Sequence, residues 1–304
     1  MTLPAILLST AAFAALAVGS ATSLPTANVP ASNSADEKAP MPSPPEFTPD
    51  DPVAYGLQIA THADAVAAGW TDEVMQGTMT LYDSDGDSVR RKFSRMALEQ
   101  PEEGDRLIIK FLSPAEIKGV SALTHENVGG SDDNWLYLPA NKRVRRISGA
   151  NNTASFQGTE FTYEDLANLD PREFEWRFYE ETTLDREGVS TPVFKLEAKP
   201  TYDDTGYARL VVYYHRENFR QERVEYYDLA GKHLKTRNSG DWQHTHDRFW
   251  RQFMIDMENH QTGKRTTLKV ERQFLDLSRY TSKKTGKART NLKADQFTTR
   301  ALEG

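Results

Sequence analysis

The chain has 304 residues, a formal charge of −7 and no cysteine. The acidic balance argues against general nucleic-acid binding, which needs a positive field. Without cysteine there are no disulfides or thiolate metal sites, and the chain cannot itself carry the lipidated cysteine of a bacterial lipoprotein.

No charged side chain precedes Asp36, and Leu3 to Val18 is an apolar run shorter than a spanning helix needs. Gly19-Ser20-Ala21 follows as a small-x-small cleavage site, so residues 1–21 read as a signal peptide, although no Lys or Arg precedes the run. Residues 22–50 are rich in Pro, Ser, Ala and Asn and read as a disordered linker. Residues 51–304 remain for one large β domain.

Asp51-Pro52 reads as a helix start, with Asp51 as N-cap and Pro52 at the first helical position. Tyr55, Ile59, Ala63 and Val66 recur at helical spacing to about Ala68, with Gly69 as a stop. From Glu73 the period becomes two. Met75, Met79 and Leu81 share one strand face, and Asp83-Ser84-Asp85-Gly86-Asp87 turns the chain into Val89 to Leu98. Leu107, Ile109 and Phe111 alternate with Ile108, Lys110 and Leu112. Asn134 to Pro139 and Arg143 to Ile147 form a hairpin with apolar groups on both faces, and a helical turn is predicted from Tyr163 to Leu169. Phe174, Trp176 and Phe178 alternate with Glu173, Glu175 and Arg177 in the cleanest one-sided strand. Strands at 193–198, 207–214, 219–228, 233–237, 249–257 and 266–275 complete a meander of about eleven. No βαβ alternation is visible. The inventory suits a mainly β fold, a strongly curved antiparallel sheet with covering helices.

Trp135-Leu136-Tyr137-Leu138-Pro139, the Arg-rich strand ending at Ile147, and Phe156, Gly158, Phe161, Tyr163, Asp165 and Leu166 together resemble the outer-membrane lipoprotein-sorting family, distant relatives of the periplasmic carrier LolA. Phe111 to Gly119, Glu225 to Asp228 and Asp295 to Leu302 extend the similarity over about residues 52–302, and Thr159 stands where the family usually has Ser, which keeps a hydroxyl. The resemblance implies an incomplete β-barrel of the LolA/LolB kind and a periplasmic carrier that shields the acyl chains of a lipid or lipoprotein in an apolar cavity. An inner-membrane exporter and an outer-membrane acceptor are its implied partners. The alternative is a non-enzymatic accessory subunit docking on an RND-type membrane exporter.

The predicted cavity residues are Met79, Leu81, Ile109, Phe111, Trp135, Tyr137, Trp176 and Phe178, against the plainer reading that these stripes are ordinary core. Arg143, Arg145 and Arg146 are candidates for partner or headgroup contact, or simply a solvated strand face. His244-Thr245-His246-Asp247 begins like a metallo-hydrolase motif, but the other histidines stand outside any motif. Asp83 to Asp87 resembles half a calcium loop, with Ser94 where the bidentate Glu is required. No phosphate loop, nucleophile elbow or His-Glu-x-x-His helix is present. No catalytic residue, cofactor or metal site is predicted, and the protein reads as a non-enzyme.

Overall fold

A computed structural model describes residues 41–147 and 149–303. The predicted leader at 1–21 and residues 22–40 of the linker lie outside the described residues. The end of the linker is packed against the domain. The Phe47 ring meets Tyr55 at 5.4 Å and Phe219 at 6.2 Å, and the Thr48 amide donates to Gln58 Oε1.

The helix forms where its caps require, as α1 (Pro52–Ala67). The Asp51 carboxylate accepts from the amides of Val53 and Ala54, which would otherwise lack partners in the first turn. The chain then turns at Gly69, whose φ of 95° suits glycine.

The first run of strands is β1 (Asp72–Tyr82), β2 (Ser88–Leu98), β3 (Arg106–Ser113), β4 (Ser121–Asn127), β5 (Gly130–Leu138) and β6 (Arg143–Ile147). The second is β7 (Phe174–Arg186), β8 (Val189–Pro200), β9 (Tyr207–His215), β10 (Gln221–Asp228) and β11 (His233–Gly240), closed by β14 (Met254–Asn259) and β15 (Arg265–Leu275). A separate hairpin, β12 (Gln243–Thr245) and β13 (Phe249–Arg251), stands between β11 and β14. The thirteen main strands form one antiparallel sheet in the order β6-β5-β4-β3-β2-β1-β15-β14-β11-β10-β9-β8-β7. The sheet is curved and does not close into a barrel; β6 and β7 are its edges.

Two strands were not legible as such. β4 carries no clean alternation, and the predicted strand at 249–257 breaks at Phe253, whose amide donates to the carbonyls of Gly240 and Asp241. That break separates the β12–β13 hairpin from the sheet.

The inner face carries the main core. Met79, Phe93, Ile109, Phe111, Ala122 and Leu136 come from the first run, and Trp176, Leu196, Val212 and Val224 from the second. α1 lies on the β7 end of this face, where Tyr55 meets Phe178 at 4.6 Å between ring centroids. On the outer face, Leu98, Ile108 and Leu123 are covered by Phe297 and Leu302 of the C-terminal segment. That segment is latched by Asp72, which accepts from the amides of Leu277 and Leu292, and by Ser121 Oγ donating to the Leu302 carbonyl.

Glycine inside a helix ordinarily costs about 1 kcal/mol relative to alanine. Gly56 inverts that rule, because a Cβ there would sit 2.7 Å from the backbone nitrogen of Phe178. Gly56→Ala is therefore expected to destabilise the fold by about 1–3 kcal/mol, seen as a lower urea midpoint. A rise in the midpoint would show that α1 is not seated this closely.

Candidate functional site

The segment joining β6 to β7 must travel from one edge of the sheet to the other, so it crosses the open mouth. It is held there by polar contacts from both halves. Arg91 on β2 donates to the Gln157 carbonyl. Thr266 on β15 accepts from the Glu160 amide, and Asn259 on β14 donates to the Glu160 carboxylate. Inside the segment, Thr159 Oγ1 donates to the Phe156 carbonyl at 2.7 Å, so the hydroxyl that replaces the family serine is used. Phe156 itself is fully buried and stacks on Phe111 at 5.6 Å.

The central fastening is Asp165 with Lys235 on β11. Both side chains are 2% exposed, and Nζ donates to Oδ2 at 2.5 Å and to the Glu160 carbonyl at 3.1 Å. Asp165 also accepts from the Thr162 amide and from the Tyr207 hydroxyl. The Lys235 ammonium lies 5.3 and 5.1 Å from the ring centroids of Tyr207 and Tyr226. Burial and the Asp165 charge hold the Tyr207 phenol well above its ordinary pKa, so it remains a donor. The next residue, Glu164, is satisfied by the Tyr202 and Thr205 hydroxyls and the Gly206 amide.

Between this crossing segment, α1 and the inner face lies a cavity of about 360 Å³. On its side α1 presents Ala60, Ala63 and Ala67, small side chains that leave room, together with Asp64 and Val66. The sheet side carries an apolar stretch of Met75, Met79, Phe93, Ile109, Leu268 and Val270, bordered by Gln221 and Arg237 on β10 and β11. A β-bulge between Gln76 and Gly77 shifts the β1–β15 register, which lets both Val270 and Gln273 line the space. The far end is polar and aromatic. There the β12–β13 hairpin brings Trp250 and Arg251 beside Trp70, Glu73, Arg95 and Glu99. The hairpin is anchored to α1 by Arg248, which donates to the carbonyls of Val66 and Ala68 at the helix C-terminus.

The predicted cavity residues separate into five environments. Met79 and Ile109 line the cavity. Leu81 packs against the core, and Phe111 is fully buried under the crossing segment. Trp176 and Phe178 are packed beneath α1, with Trp176 Nε1 donating to the Pro171 carbonyl. Trp135 and Tyr137 are corrected outright. They face the opposite side, against the cluster capped by Phe297 and Leu302, because Leu136 takes the inner position. The arginines also divide. Arg143 and Arg145 are paired across from Leu138 and Leu136, whereas Arg146 is opposite Trp135 and ion-pairs with Asp133. All three are exposed on an edge strand, but they do not make one patch.

His244 stacks on Trp250 at 4.7 Å, while His246 bonds the Leu275 carbonyl; the two rings serve different neighbours. Asp83 Oδ1 accepts from the amides of Asp85 and Asp87, which accounts for the turn. Among the described residues, no group of three or more His, Asp or Glu is arranged to hold a metal ion.

The comparisons with known proteins agree with this geometry. Residues 103–303 match a family described as uncharacterized-protein-like. A crystal structure of an outer membrane lipoprotein-sorting protein domain from Vibrio parahaemolyticus is 33% identical, with a TM-score of 0.73 over 82% of this chain and 98% of that one. The chain belongs to the outer membrane lipoprotein-sorting family. A DUF1329 family protein from Desulfovibrio piger shares the fold at 24% identity, with a TM-score of 0.72 over 83% and 99% of the two chains. A LolA superfamily protein from Nitrosomonas europaea does so at 17% identity, with a TM-score of 0.60 over 81% and 98%. No protein of curated function matches. The family resemblance at Asp165 thus corresponds to the carboxylate that fastens the crossing segment.

Two expectations follow. Removing one member of a buried ion pair strands the other, so Asp165→Asn and Lys235→Met should each cost about 3–5 kcal/mol. The double variant should cost clearly less than their sum in a denaturant-unfolding cycle; additivity would show that the two groups do not act as a pair.

The second concerns the carboxyls beside the crossing segment. Burial, reinforced by neighbouring carboxylates, raises Glu126, Asp132 and Glu173 to about 7. A carboxyl raised in the fold favours folding while protonated, and that contribution disappears as pH climbs from its ordinary value through about 7. Glu173→Gln should therefore stabilise the protein more at pH 8 than at pH 5, measured against wild type at each pH. Equal effects at both would contradict the raised value.

Proposed function

We propose that this protein is a periplasmic carrier that shelters the acyl chain of a lipid or lipoprotein inside the cavity between α1 and the inner face. The observation that carries this reading is a cavity of about 360 Å³ between α1 and the sheet, with an apolar stretch on its sheet side and polar groups around it. That volume is within the range of small-ligand pockets, about 300–1,000 Å³.

The energetic demand on such a carrier is large. A sixteen-carbon chain has about 15 methylene-type groups at ~0.8 kcal/mol each, so leaving a bilayer costs on the order of 12 kcal/mol gross. A carrier must return most of that through its own lining, and must then let go through a conformational change or a partner. The lining is built for the first task by Met75, Met79, Ile109, Leu268 and Val270. For the second, release falls to a partner that acts on the walls lying outside the thirteen-stranded sheet, α1 and the β12–β13 hairpin. The N-terminal segment acts as a cleavable leader followed by a linker, and an inner-membrane exporter and an outer-membrane acceptor are the partners of the transfer.

Protein purified from bacteria without detergent should carry a fatty acid or phospholipid, detected by native mass spectrometry. Leu268 and Ile255 are only partly buried and line the cavity. Leu268→Asn and Ile255→Asn should reduce bound lipid severalfold while costing less than ~2 kcal/mol in stability, because cavity water can solvate the amide. A lipid-free wild type would refute the carrier reading.

A further inference from the structure

We propose that Arg251 is the binding residue for an oxyanion head group, so that the cavity takes a single-chain amphiphile with an anionic carboxylate or phosphate end. This rests on the carrier reading above and specifies its cargo class.

The four arginines lining the cavity differ in how they are satisfied. Arg95 ion-pairs with Glu73 and Arg220 with Glu222, while Arg237 donates to Gln252 through Nη2 and leaves only its Nε without a partner. The Arg251 side chain makes no hydrogen bond or ion pair among the described residues, and its buried Nε and Nη2 have no partner. The guanidinium sits 5.4 Å from the ring centroids of both Trp70 and Phe249, aromatic faces that fix its plane without using its N–H groups. Burial pulls its pKa below the ordinary arginine value, the mark of a cation removed from water.

The nearby carboxylates have partners of their own, although Asp105, which accepts from the Gln100 amide at 2.9 Å, also lies within the electrostatic reach of Arg251. Glu73 receives Arg95 on one oxygen and Gln273 Nε2, at 2.7 Å, on the other. Glu99 accepts from the Gly69 amide at 2.8 Å, and burial raises it to about 7, so near neutrality half of it carries no charge. Asp276 holds the Thr71 amide and Arg279.

A buried guanidinium with free donors binds planar or tetrahedral oxyanions well, because two parallel N–H groups meet two oxygens. The position matches an amphiphile. Arg251 is at the aromatic and polar end of the cavity, and the apolar floor of Met75, Met79 and Leu268 runs away from it. A cavity of about 360 Å³ stands at the small end of the ~300–1,000 Å³ range of ligand pockets, which suits one acyl chain rather than several.

The test uses delipidated full-length protein titrated with dodecanoate, dodecyl phosphate and dodecanol at pH 8, followed by tryptophan fluorescence. Wild type should bind both anions at least about tenfold more tightly than the alcohol, and the tighter of the two anions distinguishes a carboxylate cargo from a phosphate one. Arg251→Met should abolish that preference, leave dodecanol binding unchanged, and leave the urea midpoint equal or higher, since it removes an uncompensated buried charge. Arg251→Lys should restore part of the preference. A preference that survives Arg251→Met overturns the proposal. So does unfolding of that variant or loss of dodecanol binding, which would make Arg251 a structural cation serving Glu73 or Glu99. Equal binding of all three ligands by wild type overturns it while the carrier reading stands; binding of none removes the carrier reading as well.

Discussion

The ion pair between Asp165 and Lys235 holds the architecture together at the place where it is weakest. A sheet that stops short of closure leaves its mouth open, and a loop laid across that mouth has no strand partners to satisfy its backbone. Here the crossing segment is tied down by charge. The pair is nearly inaccessible to water, and every lone pair aimed inward has a donor: an ammonium, a backbone amide and a tyrosine hydroxyl. A buried pair is a modest source of net stability against an apolar substitute. Its value is positional, because only one placement of the loop satisfies both charges at once.

The cavity is a consequence of that placement. With the crossing segment fixed on one side and α1 fixed on β7 by the close approach at Gly56, the alanines of α1 cannot slide inward to fill the gap. Ordinary cores remove such spaces, since each unfilled volume forfeits dispersion contacts. Here the crossing segment and α1 are anchored at separate places on the sheet, so the interior tolerates an open volume that a more compliant fold would collapse.

Much of this was legible in the sequence. Asp51-Pro52 announced α1, and the alternation of Phe174, Trp176 and Phe178 gave β7 its inner face. The stretch from Trp135 to Leu166 identified the family, although the physical role of Asp165 lies in a partner seventy positions away. Nothing local marks Lys235, which sits in a strand written His-Leu-Lys-Thr-Arg and looks like a solvated residue. The cavity lining is only partly legible in the sequence for a related reason. Period two tells which residues share a face, but not which face is inward when both are apolar, so Trp135 and Tyr137 were placed on the wrong side. Nor does alternation reveal where a covering helix stops. Trp176 and Met79 share the inner face, yet one is packed beneath α1 and the other borders an empty volume.

The strand order has a kinetic consequence. β1 and β15 are neighbours in the middle of the sheet, and their pairing joins Glu73 to Leu275 across most of the domain's sequence. Each meander can zip locally from hairpin to hairpin, but the seam between them pays a long loop-closure cost. Until β15 has been made, β1 presents an unpaired edge and the inner face has no far half. A chain emerging N-terminus first therefore stays open along this seam until its last strand is available. The cavity and the completed sheet come into being in the same step.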